Sequence, residues 1–281
     1  MTLGLSTYAF AWRRHPDNPT PIALEAMLDS VVELGCDVFQ VCDHPSLEDP
    51  DPDFIRRLIA GATERRLELE LGTKGVEEEH LLGFLELART VSARFVRTML
   101  SSPRGTPTVD AAIASLRAVM PAYESARVTL GLETYEQFST QELVRVIDAV
   151  GSPALGICLD PGNSVARLEL PEAVVAQAAP YVVNLHVKDF AFARKEGMIG
   201  FTFAGAPLGE GLLDYDGMAD ALDAHQRRVN QVVEHWLTRA ESLADTCTAE
   251  ELWVRNSVAY LKEHRRLVDR ASYVIEEDHH G

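Results

Sequence analysis

The amino-acid sequence predicts an α/β protein that folds as a closed (β/α)8 barrel. Short runs rich in Val, Leu and Ile alternate with amphipathic segments along most of the chain, and repeated strand–helix units of this kind form parallel sheets. The length of 281 residues suits one barrel, which commonly takes about 250 residues, with a short extension. A doubly wound open sheet is the alternative, but it usually has a glycine-rich phosphate turn after its first strand, and LGLSTYAFAW contains none.

Hydrophobic periodicity places the individual elements. Eight strands are predicted, at 3–10, 37–43, 67–74, 95–102, 128–135, 154–161, 182–190 and 230–236. Helices are predicted at 21–34, 53–66, 76–93, 108–127, 140–150, 171–181 and 218–224. Segments 11–20 and 45–52 are predicted as loops. We therefore expect a catalytic barrel over 1–240 and a mainly helical C-terminal extension over 241–281, packed on the barrel or on a partner subunit.

The long segment 191–216 after the seventh strand combines glycines with apolar side chains such as Phe201, Phe203 and Leu208. This composition is too apolar for an idle surface loop. We predict a loop that covers the active site and excludes water from it. Packing against a neighbouring subunit is the alternative, and one loop can do both.

Composition and charge exclude several classes of partner. The formal net charge is −17, and an acidic surface repels nucleic-acid phosphates and anionic membranes, so we expect neither as a partner. No apolar run approaches the roughly 20 residues that span a bilayer, and the N-terminus lacks the basic segment of a secretory signal. The four cysteines show no CxxC spacing and are expected to be reduced thiols of a cytoplasmic protein: Cys36, Cys42, Cys158 and Cys247.

Four residues at the ends of predicted strands form the candidate metal site: Glu133, Asp160, His186 and Glu234. The first three are 27 and 26 residues apart, about one strand–helix unit each, and the last gap is 48 residues. Side chains at the C-terminal ends of barrel strands converge on one face. Three carboxylates and one imidazole suit a divalent metal with oxygen and nitrogen ligands. The structural alternatives are a rim ion pair for Glu133, a helix cap for Asp160 and a buried core histidine for His186.

A divalent metal in this site predicts chemistry next to a carbonyl group. The metal polarises the carbonyl of a substrate and stabilises the enediolate formed when a proton leaves the neighbouring carbon. Glu133 and Glu234 then act as acid and base, which predicts an isomerase or epimerase of a substrate with a carbonyl next to a hydroxyl. Loss of CO2 uses the same electron sink and makes a lyase the first alternative. A non-catalytic sugar-binding barrel is the second.

Other polar residues are candidates for catalysis and substrate binding. Lys188 follows His186 by two residues and therefore points to the same face of its strand, where it can stabilise an enolate oxygen. A rim lysine paired with Asp189 is the alternative. Substrate contacts are predicted for two strand-end cations and three loop or strand-end residues: Lys74, Arg97, Asn163, His44 and Arg194. The arginine of the long loop can clamp a carboxylate, or it is simply solvated.

The motifs GLETY, CLDPGN, NLHVKD, PLGEGLLDY and VVEHW, in this order, resemble the xylose-isomerase-like TIM barrel superfamily of sugar phosphate isomerases and epimerases. The resemblance implies a carbohydrate substrate and one divalent metal, Mn²⁺ first and Mg²⁺ or Co²⁺ as alternatives. It assigns the metal to Glu133, Asp160, His186 and Glu234, and proton exchange with the substrate to the two glutamates. It also implies a homo-oligomer.

One departure from the family pattern bears on the reaction. Many members carry a histidine three residues after the aspartate, where this chain has Asn163, so a different substrate or outcome is expected. The DPGNS motif and the loop with Arg194 resemble members described as 3-oxo-isoapionate decarboxylases. This supports the lyase alternative, which is decarboxylation of a 3-oxo sugar acid or cleavage of a 3-oxo glycoside.

Overall fold

Eight parallel strands close into a barrel, as the sequence predicts. The computed structural model describes residues 2–195, 197 and 199–277, with side chains for all of these except Ala224 and 265–277. The strands are β1 (Leu3–Ser6), β2 (Val38–Cys42), β3 (Glu68–Gly72), β4 (Phe95–Thr98), β5 (Thr129–Glu133), β6 (Leu155–Leu159), β7 (Val182–Val187), β8 (Phe190–Arg194), β9 (Phe201–Gly205) and β10 (Gln231–Val233). All except β8 and β9 belong to the barrel, in which β10 pairs with both β7 and β1.

Helices surround the barrel and follow its strands along the chain. They are α1 (Leu24–Glu33), α2 (Pro45–Glu48), α3 (Pro52–Arg65), α4 (Glu78–Thr90), α5 (Val109–Ala126), α6 (Thr140–Val150), α7 (Pro161–Val165), α8 (Pro171–Ala178), α9 (Tyr215–Ala224) and α10 (Leu243–Glu277). Short 3-10 helices occupy Thr7–Phe10 and Ala179–Tyr181.

Helix α6 illustrates how the sequence sets these elements. Ser139 and Glu142 form a capping box at its start, in which each side chain bonds the other residue's backbone N–H. Gly151 ends the helix at φ +70°, a conformation that favours glycine. Leu143 and Ile147, one turn apart, are buried in the core between helix and barrel. The predicted and observed bounds of this helix agree.

Besides shifts in the ends of elements, three predicted segments contain an element of a different kind. The first strand ends at Ser6, because its hydroxyl oxygen accepts a hydrogen bond from the Tyr8 backbone and starts the 3-10 helix. The predicted loop 45–52 contains the short helix α2. The predicted loop 191–216 contains an antiparallel hairpin, in which β8 pairs with β9; its aromatic residues are strong strand formers.

Helix α10 packs its first half against the barrel. Val254, Val258 and Leu261 are buried in the same core as the barrel helices. The buried carboxylate of Glu250 accepts hydrogen bonds from the backbone N–H groups of Trp12 (2.7 Å) and Arg13 (3.0 Å). The division of the chain into two domains at residue 240 stays a prediction. Among the residues that the structure describes, no helix has both the length and the apolar character needed to cross a membrane.

Candidate active site

The four predicted metal ligands lie together at the C-terminal end of the barrel. Glu133 ends β5, Asp160 follows β6, His186 lies in β7 and Glu234 follows β10. One nitrogen or oxygen atom from each side chain lies within 4.8 Å of the corresponding atoms of the others. All four are at most 3% exposed. The closed barrel is what brings them together, because it places the ends of all eight strands on one rim.

Asp160 combines two contacts. Its Oδ1 accepts a hydrogen bond from the backbone N–H of Asn163 (3.3 Å) and so caps helix α7. Its Oδ2 lies 2.7 Å from the Nζ of Lys188. The helix cap considered for this residue therefore exists, but on α7 rather than on the helix predicted at 171–181, and it leaves one oxygen facing the site.

His186 has both ring nitrogens in contact with polar groups. Its Nδ1 lies 3.2 Å from Glu133 Oε1 and 3.6 Å from Glu234 Oε2. Its Nε2 lies 2.8 Å from Gln40 Oε1. Burial lowers the pKa of His186, but Cys158 and the two glutamates outweigh it and hold the pKa well above its usual value. The distances show that Nδ1 is the ring nitrogen that faces the carboxylates of Glu133 and Glu234.

Glu133 is held by a cation and an amide. Arg97, itself 1% exposed, places its Nε 2.8 Å from Glu133 Oε2, and Asn163 donates a 2.9 Å hydrogen bond to Oε1. Burial raises the pKa of Glu133, but Arg97 and His186 outweigh it and lower the pKa to about 2. Glu133 is therefore ionised near neutral pH.

Lys188 is a buried cation beside two of the carboxylates. Its Nζ lies 2.7 Å from Asp160 Oδ2 and 3.3 Å from Glu234 Oε2, and 4.3 Å from the ring centroid of Trp236. Burial lowers the pKa of Lys188, but the carboxylates of Asp160, Glu234 and Glu133 outweigh it and raise the pKa. The ammonium group therefore stays protonated.

The carboxylates of this cluster fit a divalent cation. Glu133 Oε2 and Asp160 Oδ2 are buried, and neither accepts a hydrogen bond from any residue that the structure describes. Each lies close to a cation, but not in hydrogen-bond geometry. Buried polar atoms are normally hydrogen-bonded, so two buried oxygens that accept no hydrogen bond are suited to contact a metal ion. Three carboxylates with one imidazole match the preferences of Mn²⁺ and Mg²⁺.

A cavity of about 410 Å³ opens over the four-residue cluster. Glu133 and Glu234 line it, as do four of the other predicted site residues: Lys74, Arg97, Asn163 and Lys188. Trp236, Phe203 and Tyr8 contribute aromatic surface to the same cavity. It is large enough for a small sugar acid and offers both cationic and aromatic contacts.

Two predicted substrate contacts, His44 and Arg194, lie outside this cavity. The His44 ring stacks on Phe54 at 4.3 Å between centroids, and its Nδ1 accepts a hydrogen bond from the Ser46 backbone N–H. The Arg194 guanidinium lies on the exposed hairpin, 4.8 Å from the centroid of Phe201. Their role as substrate contacts stays a prediction.

Asp43 is a site residue that sequence reasoning did not identify. The Tyr8 hydroxyl donates a 2.7 Å hydrogen bond to its Oδ2, and Arg97 and Lys74 each approach to 3.3 Å. Asp43 thus holds three groups that line the cavity. The available signal was its position directly after a strand, which it shares with Asp160.

Asp189 is a second residue whose role was not predicted from the sequence. Its contacts explain why the motifs HVKD and PLGEG occur together. Its Oδ1 accepts from the backbone N–H groups of Phe190 (2.8 Å) and Leu213 (2.9 Å). Its Oδ2 accepts from Gly209 (3.0 Å) and Gly211 (2.9 Å). The aspartate of HVKD therefore fixes the backbone of PLGEG, so that the segment after the hairpin is anchored to strand β7.

Comparisons with known proteins identify relatives of this chain. The chain is 47% identical to a 3-oxo-isoapionate decarboxylase from Pectobacterium atrosepticum over 275 residues, covering 98% of this chain and 100% of that protein. The structure of a xylose isomerase-like TIM barrel protein from Mycobacterium smegmatis in complex with magnesium is 20% identical, with a TM-score of 0.68, covering 92% of this chain and 96% of that one. The structure of an L-ribulose 3-epimerase is 19% identical, with a TM-score of 0.71, covering 98% and 97%.

The family model described as xylose isomerase-like TIM barrel matches residues 28–264. This range contains all four clustered residues and most of the barrel. At 20% identity and below, the two solved structures show the shared fold alone. The chain belongs to the xylose isomerase-like TIM barrel family.

Proposed function

We propose that this protein is a divalent-metal-dependent decarboxylase of a 3-oxo sugar acid. The observation that carries the proposal is the buried cluster of Glu133, Asp160, His186 and Glu234 around one point at the base of a cavity. The relative that is 47% identical over its whole length is a 3-oxo-isoapionate decarboxylase, which favours this reaction over the isomerisation or epimerisation expected first from the sequence. A 3-oxo sugar acid of that type is the proposed substrate.

The four clustered residues would hold the metal, with Mn²⁺ or Mg²⁺ the proposed ion. When bound, a divalent ion would withdraw electron density from the substrate carbonyl and favour negative charge on its oxygen. A magnesium complex of a family member supports this choice of ion class.

In the proposed reaction, the bond between the carboxylate carbon and the neighbouring carbon breaks, and CO2 leaves. The electron pair of that bond moves to the 3-oxo group and gives an enolate, which then takes up one proton at carbon. The protonated amino group of Lys188 is buried at the cavity wall. A cation at this position stabilises the negative charge that develops on the substrate oxygen. Glu133 stays ionised because of Arg97, so we assign the proton delivered to carbon to the Lys188–Glu234 pair, 3.3 Å apart.

The remaining cavity residues orient the substrate. Lys74, Arg97 and Tyr8 converge on Asp43, which fixes their side chains before substrate arrives. Trp236 and Phe203, which contact each other edge to face at 5.4 Å, provide an apolar wall.

The proposal is tested by incubating the Mn²⁺-loaded protein with 3-oxo sugar acids in heavy water. We expect release of CO2 and one deuterium at the carbon that carried it. Asp160→Asn, which keeps the cap of α7 but removes a ligand charge, is the matched control and should release little CO2. Deuterium exchange without loss of CO2 would instead support an epimerase, and the absence of both CO2 release and deuterium exchange would support a sugar-binding barrel.

A further inference from the structure

A second polar cluster lies inside the barrel beneath the candidate metal site. It consists of Gln40 on β2, Glu70 on β3, Asn184 on β7 and Asn230, directly before β10. The first three are at most 1% exposed. Barrel interiors are normally filled by branched apolar side chains, and burying polar groups costs free energy unless they are paired. These four residues, which we call the amide–carboxylate network, therefore need an explanation.

The network has one hydrogen-bond arrangement. Gln40 donates to Glu70 Oε2 (2.9 Å), Asn184 contacts both carboxylate oxygens (3.0 Å each), and Asn230 donates to Oε1 (2.7 Å). A carboxylate has no proton to give, and even a protonated one has a single donor, so the amide NH2 groups must point at Glu70. The amide oxygens of Gln40 and Asn184 then face two thiols, Cys42 at 3.0 Å and Cys158 at 3.8 Å, which is consistent with that orientation.

This arrangement fixes the ring of His186. With its NH2 group committed to Glu70, Gln40 presents its Oε1 to His186 Nε2 at 2.8 Å. An oxygen acceptor requires a proton on Nε2, and the neutral imidazole then carries its lone pair on Nδ1. Nδ1 is the nitrogen that faces Glu133 and Glu234.

From this geometry we infer that Gln40 and Glu70 are positioning residues of the metal site, which select the His186 tautomer and ring orientation for binding a divalent ion through Nδ1. They touch neither the cavity nor the other three proposed ligands. The inference deepens the proposed function and rests on its metal site. Through Gln40 and Glu70, strands β2 and β3 contribute to the metal site, although neither strand supplies a proposed ligand.

The first test measures Mn²⁺ affinity by electron paramagnetic resonance titration of free Mn²⁺. Gln40→Met keeps the size of the side chain but removes the acceptor, and Glu70→Gln keeps the shape but no longer forces one amide orientation. We expect each to weaken Mn²⁺ binding about 10- to 100-fold. The double variant should bind about as weakly as Gln40→Met alone, because both substitutions act through one contact. Glu250→Gln changes a buried carboxylate whose hydrogen-bond partners are Trp12 and Arg13 rather than the network; it is the matched control and should leave the affinity unchanged.

The second test needs no substitution in the network. In Mg²⁺-loaded protein with ¹⁵N-labelled histidine, two-bond ¹H–¹⁵N correlation spectra should show His186 protonated at Nε2, with that proton protected from exchange with water. A spectrum with Nε2 unprotonated would overturn the inference, as would wild-type Mn²⁺ affinity in a folded Gln40→Met variant. Protein that binds Mn²⁺ but decarboxylates nothing would overturn the proposed reaction and leave this inference intact. Wild-type protein that binds no divalent metal would overturn both.

Discussion

Lys188 is the residue whose contacts relate most directly to the proposed chemistry. Its ammonium group is shared by Asp160 and Glu234, so it is a fixed positive charge beside the proposed metal. A fixed donor in a buried site stabilises negative charge as it develops, without the cost of reorganising solvent.

Lys188→Met should therefore lower kcat for CO2 release by about 10²- to 10³-fold, while Mn²⁺ binding is retained, because no ligand is removed. Steady-state CO2 release and a Mn²⁺ titration check this. Lys74→Met is the matched control: Lys74 is 35% exposed on its side chain and contacts Asp43, so its loss should raise KM rather than lower kcat. Near-normal kcat in Lys188→Met would exclude it from the reaction.

His44 gives a prediction about pH and stability. Its Nδ1 accepts the backbone N–H that caps α2, and burial, with a smaller effect of Arg14, lowers its pKa from 6.5 to about 4. Because the folded pKa lies below the unfolded one, neutral His44 stabilises the fold above about pH 6.5, and this contribution is lost as the pH falls towards 4.

The free energy of unfolding should accordingly decrease between pH 7 and pH 5, as followed by urea denaturation. In His44→Asn, which keeps a capping oxygen but does not titrate in this range, the decrease should be smaller. An identical pH profile for the two proteins would show that protonation of His44 does not affect stability in this range.

Sequence spacing placed the four proposed ligands on successive barrel strands, because strand ends carry a clear signal of apolar runs followed by charge. It did not identify Gln40, Glu70 or Asp189. Their partners come from distant parts of the chain, and Glu70 bonds to Asn184 and Asn230 across the barrel interior. Side chains that act through tertiary contacts leave no periodic pattern in one sequence.

At the level of elements, the segment after strand β7 is tied down by one side chain. Asp189 accepts four backbone hydrogen bonds and is 3% exposed. The hairpin β8–β9 precedes the PLGEG turn, and Phe203 of β9 lines the cavity.

Asp189→Asn should destabilise this segment, because one acceptor oxygen is replaced by a donor that faces backbone N–H groups. We expect a loss of about 3 kcal/mol of stability and faster hydrogen exchange at the Gly209 and Gly211 amides, measured by mass spectrometry. Asp214→Asn is the control: it caps α9 through one bond to Gly217, and Asn caps helices about as well as Asp. Unchanged exchange in Asp189→Asn would show that the segment is held by other contacts.

The element order was predictable because alternating apolar strands and amphipathic helices differ in period. Most strands were predicted to extend too far. The residues after each strand continue its alternation of apolar and polar side chains, but they do not pair with the neighbouring strand of the barrel. The β8–β9 hairpin was predicted as a loop because its aromatic residues were interpreted as a cover. Helix α7, with five residues, is too short to show a helical period.

For the whole molecule, metal binding should increase the free energy of unfolding. A ligand that binds only the folded state at 100 times its dissociation constant stabilises it by about 2.7 kcal/mol. Saturating Mn²⁺ should raise the urea midpoint relative to protein in EDTA. Asp160→Asn, which retains an acceptor for the cap of α7, should lose most of this increase. An equal increase in both proteins would place the ion elsewhere.

The predicted homo-oligomer is testable through the hairpin. Phe192 and Phe201 are 52% and 58% exposed, and Ile199 is 87% exposed; exposed apolar clusters often mark contact surfaces. We expect sedimentation equilibrium to give a multiple of the 31.0 kDa chain mass, and Phe201→Ser to reduce it. Leu168→Ser, at a 93% exposed position between α7 and α8, is the control. A mass of one chain at every concentration would contradict the prediction.

Strand β7 and its continuation carry a proposed ligand, a buried cation and a loop anchor within four residues, His186 to Asp189. This arrangement limits modularity. Anyone who replaces residues 190–213 with those of a relative would have to transplant Asp189 with them, because its carboxylate holds the backbone of this segment. A change in this segment is therefore coupled to strand β7, which carries the proposed metal ligand His186.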